Sequence, residues 1–313
     1  MSPLSPLSPL RPQRIALSGA TGFIGSHLVA SLSARGDLVT PVKRPFDRAA
    51  LTSTFAGVDV VVHLAGLVSA VRPKDFHVAN VEATRVVAEA TRDAGARLIH
   101  ISSLAAAGPA PASAPRSEDD EPRPINAYGR SKLEGERVVK GMRDLQWTIL
   151  RPGVVYGPGD RAMLPLFSYA IRGLLPLVGE AAAYTFVYIA DAVRTVVAAI
   201  DRQQSGTVVF VGHSTHVTAR ELLEGVRDTM GSSARLVRVP RALVRIGAVF
   251  GDLTGHLTGR PAAINSRRYA EIYSPGFVCR VDRMRDCLGV VATTNLKDGL
   301  AQTAAWYTQH GWI

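Results

Sequence analysis

The stretch Ser18–Ser26, which reads SGATGFIGS, limits what this chain can fold into more than any other part of it. It follows a short apolar run and opens into an amphipathic segment, so it predicts a buried strand, a glycine turn and a helix. The free N–H groups and the partial positive charge at the start of a helix attract phosphate. Gly19 permits the tight turn, Gly22 lets a pyrophosphate approach the backbone, and Gly25 lets the helix pack closely on the strand. The pattern therefore predicts a dinucleotide-binding turn.

The second predicted strand, residues 37–44, ends in Lys43 and Arg44, and no carboxylate stands at this position. In nucleotide-binding α/β folds the end of this strand faces the adenosine ribose. An acidic residue there bonds the 2′-hydroxyl, whereas an arginine accepts a 2′-phosphate. The two cations favour NADP over NAD, the alternative being that they are ordinary surface charges beyond the end of the strand.

Residues 45–57, which lead to the next apolar run, are too few for a further strand and helix. We expect one short helix in this connection and no strand. The β-branched run Val58–Gly66 then predicts a central parallel strand. His63 lies within that strand and is expected to be a buried core residue.

Helical and strand patterns alternate up to the middle of the chain. A helix predicted over residues 75–94 contains Asn80, and a strand predicted over residues 97–101 is followed by Ser102 and Ser103. The acidic run Glu118–Glu121 is interpreted as part of a solvated loop. The alternation predicts an α/β fold with a doubly wound, mostly parallel Rossmann-type sheet, whose ligands lie outside the carboxyl ends of the strands.

Tyr128 and Lys132 are four residues apart in a segment that reads as a helix, so they stand on the same face. A nearby ammonium stabilises a phenolate, so we expect Lys132 to lower the pKa of Tyr128. Such a pair can exchange a proton with an alcohol or a carbonyl. The hydroxyl of Ser103, at the end of its strand, can hydrogen-bond the same substrate oxygen.

Six motifs occur in a fixed order between residues 14 and 160. They are Gly19–Gly25 (GATGFIG), Val61–Gly66 (VVHLAG), Asn80–Thr84 (NVEAT), Ser102–Ser103, Tyr128–Lys132 (YGRSK) and Leu150–Gly159 (LRPGVVYGPG). With this order the chain resembles the extended short-chain dehydrogenases/reductases, the NAD(P)-dependent epimerase/dehydratase superfamily. Weaker similarity continues in Phe186–Asp191 and at Trp306–Tyr307.

The resemblance implies a role for each matching residue. Tyr128 would transfer the proton, Lys132 would also hold the nicotinamide ribose, Ser103 would polarise the carbonyl, and Asn80 would support the lysine or brace its own helix. No metal is implied. Family members often form homodimers through the helices that flank the sheet, but the oligomeric state of this chain stays open. The expected cofactor-binding residues are Gly19, Thr21, Gly22, Phe23, Ile24, Gly25, Lys43, Arg44, Leu64, Ala65, Gly66, Asn80, Tyr128, Lys132, Pro152, Gly153 and Val155.

The resemblance also implies how the chain is divided. Residues 14–180 are expected to form the dinucleotide-binding Rossmann domain with the catalytic residues. Residues 181–313 are expected to form a smaller substrate-binding part, some segments of which return to the Rossmann core. Residues 1–13, which contain a repeated Ser-Pro-Leu unit, are expected to be a disordered tail. Because repeated prolines prevent a helical apolar segment, we do not expect a signal peptide or a membrane anchor here.

The second half departs from the nucleotide-sugar members of the family. Such members place an Arg and a His where this chain has Tyr184 and Tyr188, and the Arg pairs with the substrate diphosphate. Losing such cations would weaken charge-assisted binding of a diphosphate. Other arginines could replace them, for example Arg161, Arg172 and Arg267.

Apolar residues dominate the segments expected to border the substrate. They are Met163, Leu164, Leu166, Phe167, Leu174, Leu175 and Leu177, followed by an apolar helix over residues 242–250. This composition favours a hydrophobic alcohol or ketone, the alternative being ordinary core packing of a small domain.

The formal net charge of +10 comes mainly from arginine, which supplies 31 of the 36 basic residues. Because these arginines are scattered rather than clustered, we expect a small-molecule substrate and a phosphate-bearing cofactor, not nucleic acid. The two cysteines, Cys279 and Cys287, form no disulfide framework, which favours a reduced, cytoplasmic location. No apolar run reaches the roughly 20 residues that span a membrane.

Three functions remain open from the sequence. The first is an NAD(P)-dependent oxidoreductase that transfers a hydride between nicotinamide and an apolar carbonyl or secondary alcohol, with NADP preferred. The second is a nucleotide-sugar epimerase or dehydratase with tightly held NAD(P). The third is a non-catalytic nucleotide sensor, which Ser103, Tyr128 and Lys132 together argue against.

Overall fold

A computed structural model describes residues 11–180 and 182–313 of the chain. Residues 1–10 of the predicted N-terminal tail lie outside the described residues.

The strands and helices alternate through the first half of the chain. The strands are β1 (Arg14–Ser18), β2 (Leu38–Val42), β3 (Val60–His63), β4 (Arg97–Ile101), β5 (Trp147–Pro152), β6 (Val154–Tyr156), β7 (Leu174–Leu177), β8 (Ala183–Tyr188), β9 (Thr207–Val211), β10 (His216–Thr218), β11 (Arg235–Arg238) and β12 (Gly276–Phe277). The α-helices are α1 (Phe23–Ala34), α2 (Arg48–Phe55), α3 (Pro73–His77), α4 (Ala83–Asp93), α5 (Leu104–Ala107), α6 (Ala127–Lys140), α7 (Leu164–Ile171), α8 (Ile189–Asp201), α9 (Ala219–Thr229), α10 (Arg241–Thr258), α11 (Ser266–Ile272), α12 (Asp282–Leu288) and α13 (Leu296–Gln309), with a π-helix (Val78–Glu82) joining α3 to α4.

The central sheet has six parallel strands in the order β2-β1-β3-β4-β5-β9. Its middle strands are apolar and buried on both faces, as expected where helices cover a parallel sheet. The sheet confirms the predicted doubly wound α/β fold. Only α2 lies between β2 and β3 among the described residues, which confirms that the short connection holds no strand.

A second, smaller group of strands lies outside this sheet. β8 pairs with β6, β10 and β12, and β7 pairs with β11. Gly153 joins β5 to β6, and its amide bonds to the Val211 carbonyl at 2.9 Å. A Cβ at this glycine would lie 2.2 Å from the Thr185 carbonyl oxygen. The close approach places the end of β5 directly against β8.

The apolar residues predicted to line the substrate site belong mainly to the core. Met163, Phe167, Leu175 and Leu177 are buried among other core side chains, and the Phe167 ring lies 5.2 Å from that of Tyr307. Leu174, in contrast, is exposed. The predicted substrate lining was wrong for this segment, because α7 and β7 use their apolar faces to pack against α13 and the core.

Residues 242–250, predicted as an apolar helix that borders the substrate, form part of α10, but none of these residues lines the cleft that later residues of α10 border. Val244 and Ala248 face inward, whereas Leu243, Ile246 and Phe250 are exposed. This prediction was wrong as well, because the buried face of α10 consists of small residues and Val244.

The acidic run was predicted to be solvated, and this is wrong for its first member. The Glu118 carboxylate accepts a hydrogen bond of 2.9 Å from the backbone N–H of Phe210 on the edge strand β9. Burial raises its pKa. Glu118 therefore satisfies an edge-strand donor that would otherwise lack a partner.

Candidate functional site

The glycine turn between β1 and α1 is packed so closely that two of its glycines leave no room for a side chain. Gly19 has a φ of +80°, and a Cβ there would lie 2.8 Å from the amide nitrogen of Ala65. A Cβ on Gly25 would lie 2.0 Å from the Gly19 carbonyl oxygen. Gly22 is the N-cap of α1, and no side chain caps the helix. The first-turn N–H groups are thus free to bind an anion such as a pyrophosphate.

A buried histidine, His63, contacts the serine that directly precedes the glycine turn. His63 Nδ1 lies 2.6 Å from Ser18 Oγ, and its Nε2 lies 3.1 Å from Thr84 Oγ1. Burial, with the nearby Lys132 and Arg44 charges, lowers the pKa of His63 to about 3, so the ring is neutral. The sequence interpretation of His63 as a core residue is confirmed.

Asn80 sits in the π-helix and connects the segment after β3 to α6. Its amide accepts a hydrogen bond of 2.7 Å from the Leu67 N–H and donates to the Leu67 carbonyl at 3.0 Å and to Ser131 Oγ at 2.9 Å. A Cβ on Gly66 would lie 3.0 Å from the Asn80 side-chain oxygen and 3.7 Å from Lys132 Nζ. Asn80 therefore bonds the segment that borders the lysine and not the lysine itself. π-helical turns often occur where a side chain must be placed for function.

Tyr128 and Lys132 lie on α6, one turn apart, beside the end of β4. The ring of Tyr128 is 6.0 Å from that of Phe76. Lys132 is buried, and its Nζ donates a 2.7 Å hydrogen bond to the Ile101 carbonyl. Ser103 follows β4 and caps α5 through the Ala105 N–H.

The pKa of Tyr128 differs from the sequence expectation. Burial raises it, and the interaction with Ser103 and the Arg267 charge only partly offset this effect. Burial also lowers the pKa of Lys132 to about 8. The expectation that Lys132 lowers the phenol pKa was wrong for this structure, because desolvation of the buried phenol outweighs the groups that lower its pKa, Ser103 and Arg267. Tyr128 is therefore a neutral phenol at physiological pH, ready to donate a proton.

A buried ion pair that the sequence interpretation missed supports this helix. Arg151 donates to both carboxylate oxygens of Glu136 at 2.8 and 2.7 Å, and Ser102 Oγ donates to the same carboxylate at 2.5 Å. Glu136 lies four residues after Lys132 on the buried face of α6. A charged residue on the apolar face of a predicted helix was the available signal.

Residues far along the chain complete the surroundings of Tyr128. Arg267 donates a 2.9 Å hydrogen bond to the Val68 carbonyl, and its guanidinium lies 3.7 Å from Glu271. Asn126, the N-cap of α6, donates to the same Glu271 carboxylate oxygen, Oε1, at 2.8 Å. Sequence reasoning named Arg267 only as one of several interchangeable cations.

A cleft of about 140 Å³ lies above this end of α6. It is lined by Ala70, Val71, Pro73, Phe76 and Ala127 on one side, by Gly251, Asp252, Gly255 and His256 of α10 on another, and by Pro261, Ala262, Asn265 and Arg267. The lining is thus mainly apolar, with the Arg267 guanidinium near the phenol.

The remaining predicted residues lie along the carboxyl edge of the sheet. Ser18 pairs with Val42, so Lys43 follows β2 next to the glycine turn and is exposed. The Arg44 guanidinium donates to the Ala79 carbonyl at 3.2 Å. Thr21, Gly22 and Gly66 are exposed along this edge, and Pro152 is buried at the end of β5. The partly exposed residues are Phe23, Ile24, Leu64, Ala65, Gly153 and Val155.

A parallel sheet with a glycine turn after β1 at its carboxyl edge and a Tyr–Lys pair beside the end of β4 is typical of a dinucleotide-dependent enzyme. The sequence profile described as "NAD dependent epimerase/dehydratase family" matches residues 15–212. The chain belongs to this family, and it is an NAD(P)-dependent enzyme of the short-chain dehydrogenase/reductase superfamily.

Three similar proteins illustrate the range of the family. A ceramide reductase of Caulobacter vibrioides is 30% identical over 96% of this chain and 96% of its own length. A Stigmatella aurantiaca protein, 4-hydroxy-2-methyl-3-oxo-4-farnesyl-3,4-dihydroquinoline-1-oxide ketoreductase, is 28% identical over 76% of this chain and 80% of its own. The structure of MoeE5 in complex with UDP-glucose and NAD is 25% identical with a TM-score of 0.76, covering 95% of this chain and 99% of that one.

Proposed function

We propose that the protein reduces the carbonyl group of an apolar small molecule, or oxidises the matching secondary alcohol, with Tyr128 as the proton donor or acceptor. The observation that carries this proposal is the mainly apolar cleft lined by Phe76, whose ring lies 6.0 Å from that of Tyr128, and by Ala127, which precedes Tyr128 on α6. The relatives named for reduction of a ceramide and of a farnesyl-bearing quinoline support it.

The charges of the cleft argue against a nucleotide-sugar substrate. Among the described lining residues, Arg267 is the one arginine or lysine, and Glu271 and the Val68 carbonyl already engage it. Of the other two candidate cations, Arg161 lies over the Trp312 ring at 5.1 Å, and Arg172 is exposed after α7. A diphosphate needs charge-assisted partners that this arrangement does not offer.

The residues at the carboxyl edge suit a dinucleotide. The uncapped start of α1 and the glycines at 19, 22 and 25 would hold the pyrophosphate. Leu64–Gly66, Asn80, Pro152, Gly153 and Val155 would border the rest of the molecule, and Lys132 would bond the ribose. When bound, NAD(P) supplies or accepts the hydride.

Within this arrangement the chain's own groups handle the proton. Ser103 Oγ would hydrogen-bond the substrate oxygen and orient it towards the Tyr128 phenol. Because burial keeps Tyr128 protonated, the phenol donates its proton to the oxygen as a carbonyl is reduced. The reductive direction is therefore the one that the resting protonation state favours.

Lys43 and Arg44 carry the proposed preference for NADP. Lys43 is exposed beside the glycine turn, where its ammonium can approach a ribose 2′-phosphate. The Arg44 guanidinium donates at least one hydrogen bond to the Ala79 carbonyl.

Lys43→Ala should weaken NADPH binding by roughly tenfold or more and leave NADH binding unchanged, since a hydrogen bond to a charged group contributes about 1.5–3 kcal/mol. Lys74→Ala is the control, and equal loss for both cofactors would exclude this preference.

The function is tested by turnover with reduced nicotinamide. Purified protein is incubated with NADPH or NADH and either long-chain and sterol ketones or UDP-glucose, and nicotinamide absorbance and products are followed. We expect oxidation of NADPH by an apolar ketone. Conversion of UDP-glucose without ketone reduction would favour the epimerase alternative and overturn the proposal.

Tyr128→Phe provides the residue-level test. It should lower turnover by about 10²–10⁴-fold while cofactor binding is retained, because only the transferable proton is removed. Tyr169→Phe, at an exposed tyrosine of α7, is the matched control and should change nothing. Unchanged turnover in Tyr128→Phe would remove Tyr128 from the mechanism.

A further inference from the structure

α10 presents an apolar face to solvent. Six of its large side chains are exposed, namely Leu243, Ile246, Val249, Phe250, Leu253 and Leu257, each by more than half of its surface. Five of them follow a spacing of three and four residues, which places them on one stripe of the helix. No other helix among the described residues exposes as many large apolar side chains, and a concentration of this kind marks an interaction site.

The opposite face of α10 explains why the stripe cannot turn inward. Val244, Ala248, Gly251 and Gly255 form the buried face, about 160° around the helix from the stripe. A Cβ on Gly251 would lie 1.9 Å from the Ile264 carbonyl oxygen. The small residues therefore fix the helix with its bulky apolar side chains outward.

The charge around the stripe identifies its partner. Residues 235–268 contain seven arginines and one aspartate, a net charge of +6. Arg245 and Arg260 have no carboxylate partner among the residues that the structure describes, and both are exposed. A second copy of this chain would bring like charges together across a symmetric interface. An anionic phospholipid surface complements both the apolar stripe and the arginines.

The inner face of α10, opposite the stripe, borders the cleft. Gly251 and Gly255, on the inner face of the same helix, line the cleft together with Val71, and the Val71 side chain lies 3.8 Å from where a Cβ of Gly255 would be. A helix lying in the headgroup region would thus put the cleft at the level of the lipids. No helix among the described residues is long and apolar enough to cross a membrane, so contact would be with one leaflet.

We propose that α10 docks on an anionic phospholipid bilayer with its outer stripe among the acyl chains, and that the cleft beneath it draws a lipid substrate from that leaflet. The docking stands on the surface alone, whereas the delivery of substrate rests on the proposed function.

The test uses the full chain and vesicles of phosphatidylcholine, alone or mixed equally with phosphatidylglycerol. Flotation should recover the protein with the mixed vesicles, and high salt should weaken the binding. Ile246→Gln/Leu253→Gln should weaken partitioning by at least about tenfold, because two side chains no longer enter the acyl region. Ile171→Gln/Leu174→Gln, at equally exposed positions outside α10, should bind like the unchanged protein.

Arg245→Gln/Arg260→Gln tests the charge separately. This variant should lose most of the preference for mixed vesicles over pure phosphatidylcholine. Absence of binding to either vesicle, or equal binding by Ile246→Gln/Leu253→Gln, would overturn the docking. A dimer found by light scattering that dissociates in this variant, without vesicle binding, would assign the stripe to a second copy instead.

Activity on a short, water-soluble ketone separates the two proposals. Ile246→Gln/Leu253→Gln should keep this activity and lose activity on a ketone embedded in mixed vesicles. Soluble-ketone activity without vesicle binding would overturn the docking and leave the proposed function standing. Vesicle binding without any ketone reduction would overturn the proposed function and leave the docking standing.

Discussion

Glu136 and Arg151 form a two-contact ion pair inside the protein, with the Arg151 Nε and Nη2 atoms 2.8 and 2.7 Å from the carboxylate oxygens. Both side chains are almost completely buried, and the guanidinium lies 5.6 Å from the Phe210 ring. Ser102 bonds to the same carboxylate. The pair therefore ties α6, which carries Tyr128 and Lys132, to the ends of β4 and β5.

Removing one charge of this buried pair should lower the free energy of unfolding far more than removing a charge at an exposed position. Glu136→Gln leaves the Arg151 charge buried without a counter-charge, and the free energy of unfolding should fall by about 3–5 kcal/mol. Glu134→Gln, at an exposed position of the same helix, should change it by less than about 0.5 kcal/mol. Urea unfolding measures both, and similar midpoints would show that the pair contributes no net stability.

Burial of the Lys132 ammonium should lower the stability of the folded protein. Its pKa is lowered to about 8 in the folded protein, so the charged form is disfavoured and stability should rise with pH from about 8 towards its unfolded value near 10.5. Lys132→Met should raise the free energy of unfolding at pH 7 by up to about 3 kcal/mol, lose this pH dependence and abolish turnover. Lys297→Met, at an exposed site, is the control. A less stable Lys132→Met protein at pH 7 would contradict the expectation.

The sequence was sufficient for the parts of the fold that depend on local pattern. The glycine turn, the β-branched strand β3 and the short connection through α2 each follow from spacing and composition over a few residues. Tyr128 and Lys132 are one turn apart for the same reason. These features are decided within single elements, so no knowledge of tertiary packing is needed.

The two wrong predictions of a substrate lining depend on which face of an element packs. The apolar residues of α7 were assigned to the substrate, but they pack on Tyr307 of α13. The bulky side chains of α10 face solvent because Gly251 sits against the backbone of Ile264. The charge of Arg267 acts on Tyr128 from more than a hundred residues away in the chain, a proximity that no local spacing encodes.

Gly25→Ala should disrupt the phosphate-binding turn. The added methyl would lie 2.0 Å from the Gly19 carbonyl oxygen, so the turn must shift, at a stability cost of about 1–3 kcal/mol. NAD(P) binding, measured by calorimetry, should be lost. Gly247→Ala is the control, because nothing lies within 4 Å of its added methyl and alanine favours the helix by about 0.5–1 kcal/mol. Retained cofactor affinity in Gly25→Ala would argue against a phosphate site at this turn.

His100 should limit the stability of the protein in acid. Its ring stacks on that of His63 at 5.5 Å, and neither of its nitrogens has a hydrogen-bond partner among the described residues. Burial, with the charge of Lys132, lowers its pKa well below 6.5, so its share of the stability is present above pH 6.5 and is lost as the pH falls further.

His100→Leu removes both the unpaired nitrogens and the titration. The free energy of unfolding should rise by about 1–3 kcal/mol at pH 7, the usual cost of an unsatisfied buried polar group, and the gain should be larger at pH 5. His77→Leu, which removes an exposed imidazole, should give no such pH-dependent gain. Urea unfolding of the three proteins at both pH values provides the comparison. An equal gain at pH 5 and pH 7 would mean that His100 does not titrate in this range and that its unpaired nitrogens alone are responsible.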